Sequence, residues 1–264
     1  NSEEYDLIDE NPFLSAINNP KSTFSIDVDT ASYSNVRRML NDGEKPPSGA
    51  VRIEELINYF SYDYPAPADE HPFSVSLELA GCPWQSKHQL LQVGLKASEI
   101  EFADRPSSNL VFLLDVSGSM RSPAKLPLVQ SAMRLLVEQL DERDRISIVV
   151  YAGASGTVLP STTADKKVEI LGAIDNLRAG GSTNGGEGIN LAYQTAEEHF
   201  IEGGSNRVIL CTDGDFNLGV TNRSQLVELV RKNAKGNVFL SVLGFGSGNL
   251  KDSTMESLAD EGNG

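Results

Sequence analysis

The stretch NLVFLLDVSGSM, residues 109–120, constrains the fold of this chain more than any other segment. Its apolar residues 111–114 show no alternation with polar ones, which is typical of a strand that is buried on both faces. The apolar run ends at Asp115, and Ser117 and Ser119 follow it, so a carboxylate and two hydroxyls come directly after the strand. Open α/β sheets bind ligands beyond the carboxyl ends of their strands. We therefore expect a polar binding site at this strand end.

The second part of the chain alternates apolar strands with amphipathic helices. The sequence predicts strands over 110–114, 145–151, 207–212 and 238–243. Helices are predicted between them. The first has an apolar face of Leu126, Val129, Met133, Leu136 and Leu140, and the second has one of Val168, Leu171, Ile174 and Leu177. Such alternation implies an α/β fold, with a doubly wound, mostly parallel sheet flanked by helices.

Three regions of different character follow one another along the chain. Residues 1–20 begin with a run of carboxylates and are interpreted as an acidic lead-in. Residues 21–105 predict a small N-terminal α+β domain, which ends at a polar link that contains proline. Residues 106–264 form the α/β domain.

The N-terminal domain is predicted from four segments. One helix follows Thr30 and is capped near Thr30 or Ser32. A second helix is predicted from apolar residues near one face, at Val51, Leu56, Ile57 and Phe60. The stretches FSVSLELAG and HQLLQVGLKA then predict a pair of antiparallel strands.

Two further polar loops are predicted at the same edge of the sheet as Asp115. The loop GGSTNGGEG contains Thr183, and the loop CTDGD contains Asp213 at the end of a strand. With Asp115, Ser117 and Ser119 they offer two carboxylates and three hydroxyls, with no His or Cys among these five side chains. Mg²⁺, Ca²⁺ and Mn²⁺ prefer such oxygen donors. The alternative is that these side chains only cap helices, as Asp, Ser and Thr often do after strands.

The charge of the chain narrows the choice of partners. It has 37 acidic and 22 basic residues, a formal net charge of −15. Nucleic acids and anionic membranes favour clustered Lys and Arg, so both are disfavoured as partners. Cations or basic partner surfaces fit better, and solubility alone is the other explanation. No apolar run is long enough to span a membrane, and Cys211 is expected to be a small buried core residue.

The three loops resemble the metal-ion-dependent adhesion site of the von Willebrand factor type A domain. That family has the pattern Asp-x-Ser-x-Ser, then Thr, then Asp. The pattern maps onto Asp115, Ser117, Ser119, Thr183 and Asp213. The resemblance implies one divalent cation, Mg²⁺ first and Ca²⁺ or Mn²⁺ as alternatives. It implies that the hydroxyls bind the cation directly, that the aspartates act directly or through water, and that a partner's Asp or Glu completes the coordination.

The N-terminal part resembles the domain that precedes the A domain in a subfamily of bacterial envelope proteins. The resemblance rests on STFSIDVDTASYSNVRRML and VRIEELINYFSYDYP. It implies an extracytoplasmic adhesion or assembly module in the periplasm or on the cell surface. It also allows for a lipid anchor upstream that would hold the full-length protein at the membrane. Because the family has a further strand beyond this point, we expect the A domain to be truncated at its C terminus.

Two other functions are alternatives to a non-enzymatic binding module. Asp27 and Asp29 resemble the Asp-x-Asp nucleophile of haloacid dehalogenase-like phosphatases, which predicts a metal-dependent phosphohydrolase as an alternative. The same two aspartates could form a second cation site, or cap the helix that follows them. A further alternative is a structural scaffold in which the cation only holds the loops together.

Overall fold

The structure is a computed structural model that describes residues 3–9, 11–23, 26, 28–68, 71–181, 185–214, 223–247 and 250–264. The chain divides into two compact units. The smaller unit is Leu7–Arg105, and the larger unit is Pro106–Gly264 together with Asn1–Asp6. Among the described residues, no helix is both long and apolar enough to cross a membrane.

The smaller unit combines two helices with a two-stranded antiparallel sheet. Its elements are α1 (Ala31–Asn41), α2 (Ile53–Asn58), β1 (Phe73–Gly81) and β2 (Gln89–Ala97). The antiparallel pairing of β1 with β2 confirms the prediction of two neighbouring strands. The apolar face predicted for the second helix is wrong, because Ile57 and Phe60 are exposed whereas Glu55 is buried.

The larger unit contains the predicted α/β repetition. In chain order its elements are β3 (Ser108–Asp115), α3 (Leu126–Gln139), β4 (Arg145–Tyr151), β5 (Ser155–Thr163), α4 (Lys167–Asp175), α5 (Gly185–Glu198), β6 (Ser205–Thr212), α6 (Arg223–Ala234), β7 (Phe239–Gly244) and α7 (Asp252–Glu261). The described strands form one sheet in the order β5-β4-β3-β6-β7. Neighbours in this order are parallel, except that β5 is antiparallel to β4. This confirms a mostly parallel sheet.

The central strand β3 is buried on both faces, as its unbroken apolar run predicts. Phe112 and Leu114 belong to a core cluster that also contains residues of α3 and α4. Val111 and Leu113 belong to a second cluster with residues of α5, α6 and α7. Successive side chains of a strand point to opposite faces, so helices on both faces require apolar residues at every position. The doubly wound arrangement is therefore confirmed.

Two local features of this unit differ from the predictions. The edge strand β5 was not predicted, because its sequence SGTVLPSTT is polar and contains Pro160. An edge strand tolerates proline, since one side of it forms no ladder hydrogen bonds. Val168 was placed on the apolar face of α4, but it is 89% exposed, and Ile170 and Ile174 fill the core instead.

The start of α1 is held by a residue of α2 rather than by its own cap. Thr30 precedes the helix and makes no side-chain capping bond, so capping by Thr30 is wrong. The Ser32 amide instead donates to Glu55 Oε2 at 2.8 Å. The Ser32 hydroxyl donates to the Ala50 carbonyl at 2.7 Å and accepts a bond from the Arg52 amide at 3.0 Å. Arg52 also pairs with Glu55, which is only 1% exposed.

We expect the Glu55→Ala variant to destabilise the smaller unit by about 1–2 kcal/mol, because the Ser32 amide and the Arg52 guanidinium lose their acceptor. Urea unfolding by circular dichroism measures the loss, and faster hydrogen exchange at the Ser32 amide would localise it. The matched control is Glu54→Ala, an exposed glutamate of the same helix, which should change stability by less than about 0.5 kcal/mol. Equal stability of the two variants would contradict the role given to Glu55.

Candidate metal centre

The first loop of the candidate site begins where β3 ends. Asp115 is fully buried, and its Oδ1 accepts a hydrogen bond from the Ser117 amide at 2.8 Å. An aspartate that bonds the backbone two residues onward turns the chain locally. The turn brings Ser117 Oγ and Ser119 Oγ to 3.0 Å from each other. Three of the five predicted site residues thus lie in one tight loop, with Ser119 exposed to solvent.

The second loop is attached to the first by backbone hydrogen bonds. The Gly180 amide donates to the Val116 carbonyl at 2.7 Å, and the Gly118 amide donates to the Gly181 carbonyl at 3.2 Å. The predicted donor of this loop, Thr183, lies outside the described residues. Its role as a cation ligand stays a prediction.

The third loop follows β6 and places Asp213 at the same edge of the sheet as Asp115. The strands β3 and β6 are parallel neighbours, with Leu114 opposite Cys211 near their carboxyl ends. Asp213 is fully buried. The turn after it is held by the Gly214 amide, which donates to Thr212 Oγ1 at 3.0 Å.

A lysine that the sequence analysis did not single out completes the described part of the site. The Lys125 ammonium donates to Asp213 Oδ2 at 2.8 Å, and the two side chains are 10% and 0% exposed. Lys125 directly precedes α3, in the segment that continues from the first loop. Nothing in the sequence marks this lysine as buried, because lysines are rarely buried unless they are paired.

Burial and the negative charges of Asp115 and Asp213 all raise the pKa of one tyrosine, Tyr151. Tyr151 ends β4 opposite Asp115 and is 1% exposed. Burial, the Asp115 charge and more weakly the Asp213 charge raise the pKa of Tyr151 well above its ordinary value, although the nearby Thr212 side chain opposes them. The hydroxyl therefore stays protonated.

The donor set that the structure brings together fits a hard cation. It consists of carboxylate and hydroxyl oxygens, which Mg²⁺, Ca²⁺ and Mn²⁺ accept. The buried Cys211 is part of the core, as predicted, and burial raises the pKa of its thiol to about 12, so it is not a thiolate ligand. The ion pair with Lys125 places one positive charge beside the Asp213 carboxylate. The described residues contain no cluster of three or more His, Cys, Asp or Glu side chains that could hold a metal ion.

The second predicted cation site gains no support. Asp27 lies outside the described residues, and Asp29 is exposed just before α1. Neither the second cation site nor the phosphohydrolase built on these two aspartates is favoured by an observation on the described chain.

Models of known protein families match both parts of the chain. The model of the von Willebrand factor type A domain matches residues 109–264, and a model described as von Willebrand factor matches residues 1–92. The chain is similar to the uncharacterized protein YfbK of Escherichia coli strain K12, at 48% identity over 267 residues that cover 98% of this chain and 46% of that protein. The chain thus spans less than half the length of this relative.

Solved structures show the same fold at low sequence identity. A von Willebrand factor type A protein from Catenulispora acidiphila superposes with a TM-score of 0.53 at 18% identity, over 77% of this chain and 46% of that one. An aerotolerance-related membrane protein from Bacteroides fragilis superposes with a TM-score of 0.50 at 22% identity, over 60% of this chain and 89% of that one.

Proposed function

The chain belongs to the von Willebrand factor type A family, and on that premise we propose that its larger unit is a divalent-cation-dependent binding module. Domains of this family are adhesion or protein-interaction modules, are generally not enzymes, and often bind a divalent metal ion. One observation carries the proposal. Two fully buried aspartates, Asp115 and Asp213, lie at one edge of the sheet beside the paired hydroxyls of Ser117 and Ser119.

Each side chain of the site has a proposed role. Ser117, Ser119 and Thr183 bind the cation through their hydroxyls, while Asp115 and Asp213 bind it directly or through water. Mg²⁺ is the proposed ion, with Ca²⁺ and Mn²⁺ as alternatives. The loop geometry supports this assignment, because the hydrogen bond that the Ser117 amide donates to Asp115 Oδ1 keeps the first loop closed. Hydroxyl ligands carry no charge, so the charge of the two carboxylates does not exceed that of a bound dication.

The proposed partner is a protein or surface ligand that presents an Asp or Glu side chain. When bound, the cation supplies the positive centre that accepts this carboxylate. The protein by itself would repel such a group, because its formal net charge is −15 and two carboxylates lie in the site. Ser119 is exposed, so a partner can approach the loop from solvent. Nucleic acids and anionic membranes are not proposed as partners.

We place the protein in the bacterial cell envelope, in the periplasm or on the cell surface. Similarity to YfbK along 98% of this chain supports a bacterial protein with both units. A structural neighbour is described as a membrane protein. A lipid anchor upstream would account for membrane attachment without a spanning helix in the described chain.

Unfolding with and without cations tests this function first. Relative to protein in chelator, an added cation at about 100 times its dissociation constant should stabilise the larger unit by about 2.7 kcal/mol. Melting curves in EDTA, Mg²⁺, Ca²⁺ and Mn²⁺ would show the shift and rank the ions. Identical melting temperatures in all four conditions would contradict a working cation site.

A second step tests the partner chemistry. A peptide with one exposed glutamate should bind in Mg²⁺ and lose its binding in chelator, whereas its glutamine counterpart should not bind in either. Surface plasmon resonance on immobilised protein distinguishes the two peptides. Equal binding of the two peptides would show that recognition does not use a carboxylate.

A further inference from the structure

The ion pair between Lys125 and Asp213 lies inside the proposed cation site. Asp213 is fully buried, and the Lys125 side chain is only 10% exposed. A buried carboxylate requires a positive partner, because removing a charge from water is costly. In the described arrangement the ammonium supplies that partner at 2.8 Å.

The fold holds Lys125 in this position from several sides. Its amide donates to the Ser122 carbonyl at 2.9 Å, and its carbonyl accepts the Val129 amide at 3.0 Å as α3 begins. Its stem passes over Gly246, in the loop after β7. A Cβ added to Gly246 would lie 2.9 Å from the Lys125 Cγ, and Gly246 has a φ of +90°. A glycine at this position therefore leaves room for the lysine to reach Asp213.

A divalent cation and the Lys125 ammonium would both be attracted to the Asp213 carboxylate. They repel each other, and burial of the Lys125 side chain strengthens the repulsion. The cation-free protein is stabilised by the lysine, whereas a bound cation makes the same lysine unfavourable. We infer that Lys125 sets the affinity of the site for divalent cations by competing with them for Asp213. This inference rests on the proposed cation site.

The test compares cation affinity with and without the ammonium. Calorimetric titration with Mg²⁺ and Mn²⁺ should give a dissociation constant about tenfold lower for Lys125→Met than for the wild type, because the competing charge is gone. The melting temperature of the variant in EDTA should fall, because Asp213 is then buried without the ammonium. Lys125→Gln keeps a hydrogen-bond donor without the charge, and it replaces the Met variant if that protein does not fold.

Two controls isolate the position of the charge. Lys232→Met removes the same charge from an exposed position in α6 and should leave the dissociation constant unchanged. Lys125→Arg keeps the competing positive charge and should leave the dissociation constant within about threefold of the wild type.

The outcomes separate this inference from the proposed function. If Lys125→Met binds Mg²⁺ as the wild type does, or more weakly, the competition is refuted while the cation site stands. If neither protein binds Mg²⁺ or Mn²⁺, both the inference and the proposed function fail, since removal of the ammonium would then expose no site.

Discussion

The Asp115→Asn variant is expected to lose divalent cation binding while it keeps its cooperative fold. Asparagine has the shape of aspartate and retains an Oδ1 that can accept the Ser117 amide, now bonded to Asp115 at 2.8 Å. The charge is lost at a position that is fully buried and at the same end of the sheet as Asp213. We expect the dissociation constant for Mg²⁺ to rise at least about 100-fold, and therefore the stabilisation of about 2.7 kcal/mol to disappear.

Calorimetric titration and melting curves in EDTA and Mg²⁺ would measure this loss. Asp165→Asn is the matched control, because it removes one exposed carboxylate from the turn that follows β5. This turn lies at the end of the sheet opposite the candidate site. The control should bind Mg²⁺ as the wild type does. Full cation affinity in Asp115→Asn would show that the cation, if bound, lies elsewhere.

The Asp144→Ala variant is expected to lose about 3–6 kcal/mol of unfolding free energy in the larger unit. Asp144 is fully buried, and it lies where β3 and β4 begin, at the end of the sheet opposite the candidate site. Its Oδ1 accepts the Ser108 amide and its Oδ2 accepts the Asp141 amide, each at 2.9 Å. The carboxylate thus joins the start of β3 to the turn before β4, and alanine would leave both amides without their acceptor.

Urea unfolding by circular dichroism measures this loss of unfolding free energy. The transition of the larger unit is the one that Mg²⁺ shifts in the wild type. Asp144→Asn keeps one acceptor and should lose about half as much free energy. Asp165→Ala, an exposed neighbour, should change stability by less than about 0.5 kcal/mol. A loss below about 1 kcal/mol in Asp144→Ala would contradict the structural role of this carboxylate.

The elements that could be predicted were those in which local pattern and burial agree. The apolar run before Asp115 predicted the central strand, and the strand predicted over 145–151 matches β4. Both strands are buried on two faces, so their composition carries a strong signal. The polar edge strand β5 gave no such signal. In α4 the apolar spacing was ambiguous, and contact with the sheet selected Ile170 and Ile174 over Val168.

The residues that tie distant segments together could not be predicted. Glu55 holds the start of α1 across 23 positions, and Asp144 holds the start of β3 across 36. Each is a charged residue, for which exposure is the usual expectation. Their burial depends on backbone amides that approach them only after the chain has folded.

The candidate site was predicted from the sequence as a set of oxygen donors. The order Asp115, Ser117, Ser119, Thr183 and Asp213, each after a predicted strand or before a predicted helix, was enough to indicate an oxygen-only site. The physical reason is that the carboxyl ends of neighbouring parallel strands meet at one edge of the sheet. The succession of strands along the chain and the residues of the loops that follow them can both be read from the sequence.

The charge balance of that site depends on the packing of helices against the sheet. Lys125 and Asp213 are 88 positions apart, and their ion pair forms because α3 begins beside the end of β6. Burial makes the pairing necessary, since each group has left water and an unpaired buried charge is costly. No local pattern encodes such a pairing, because it depends on how the helices pack against the sheet.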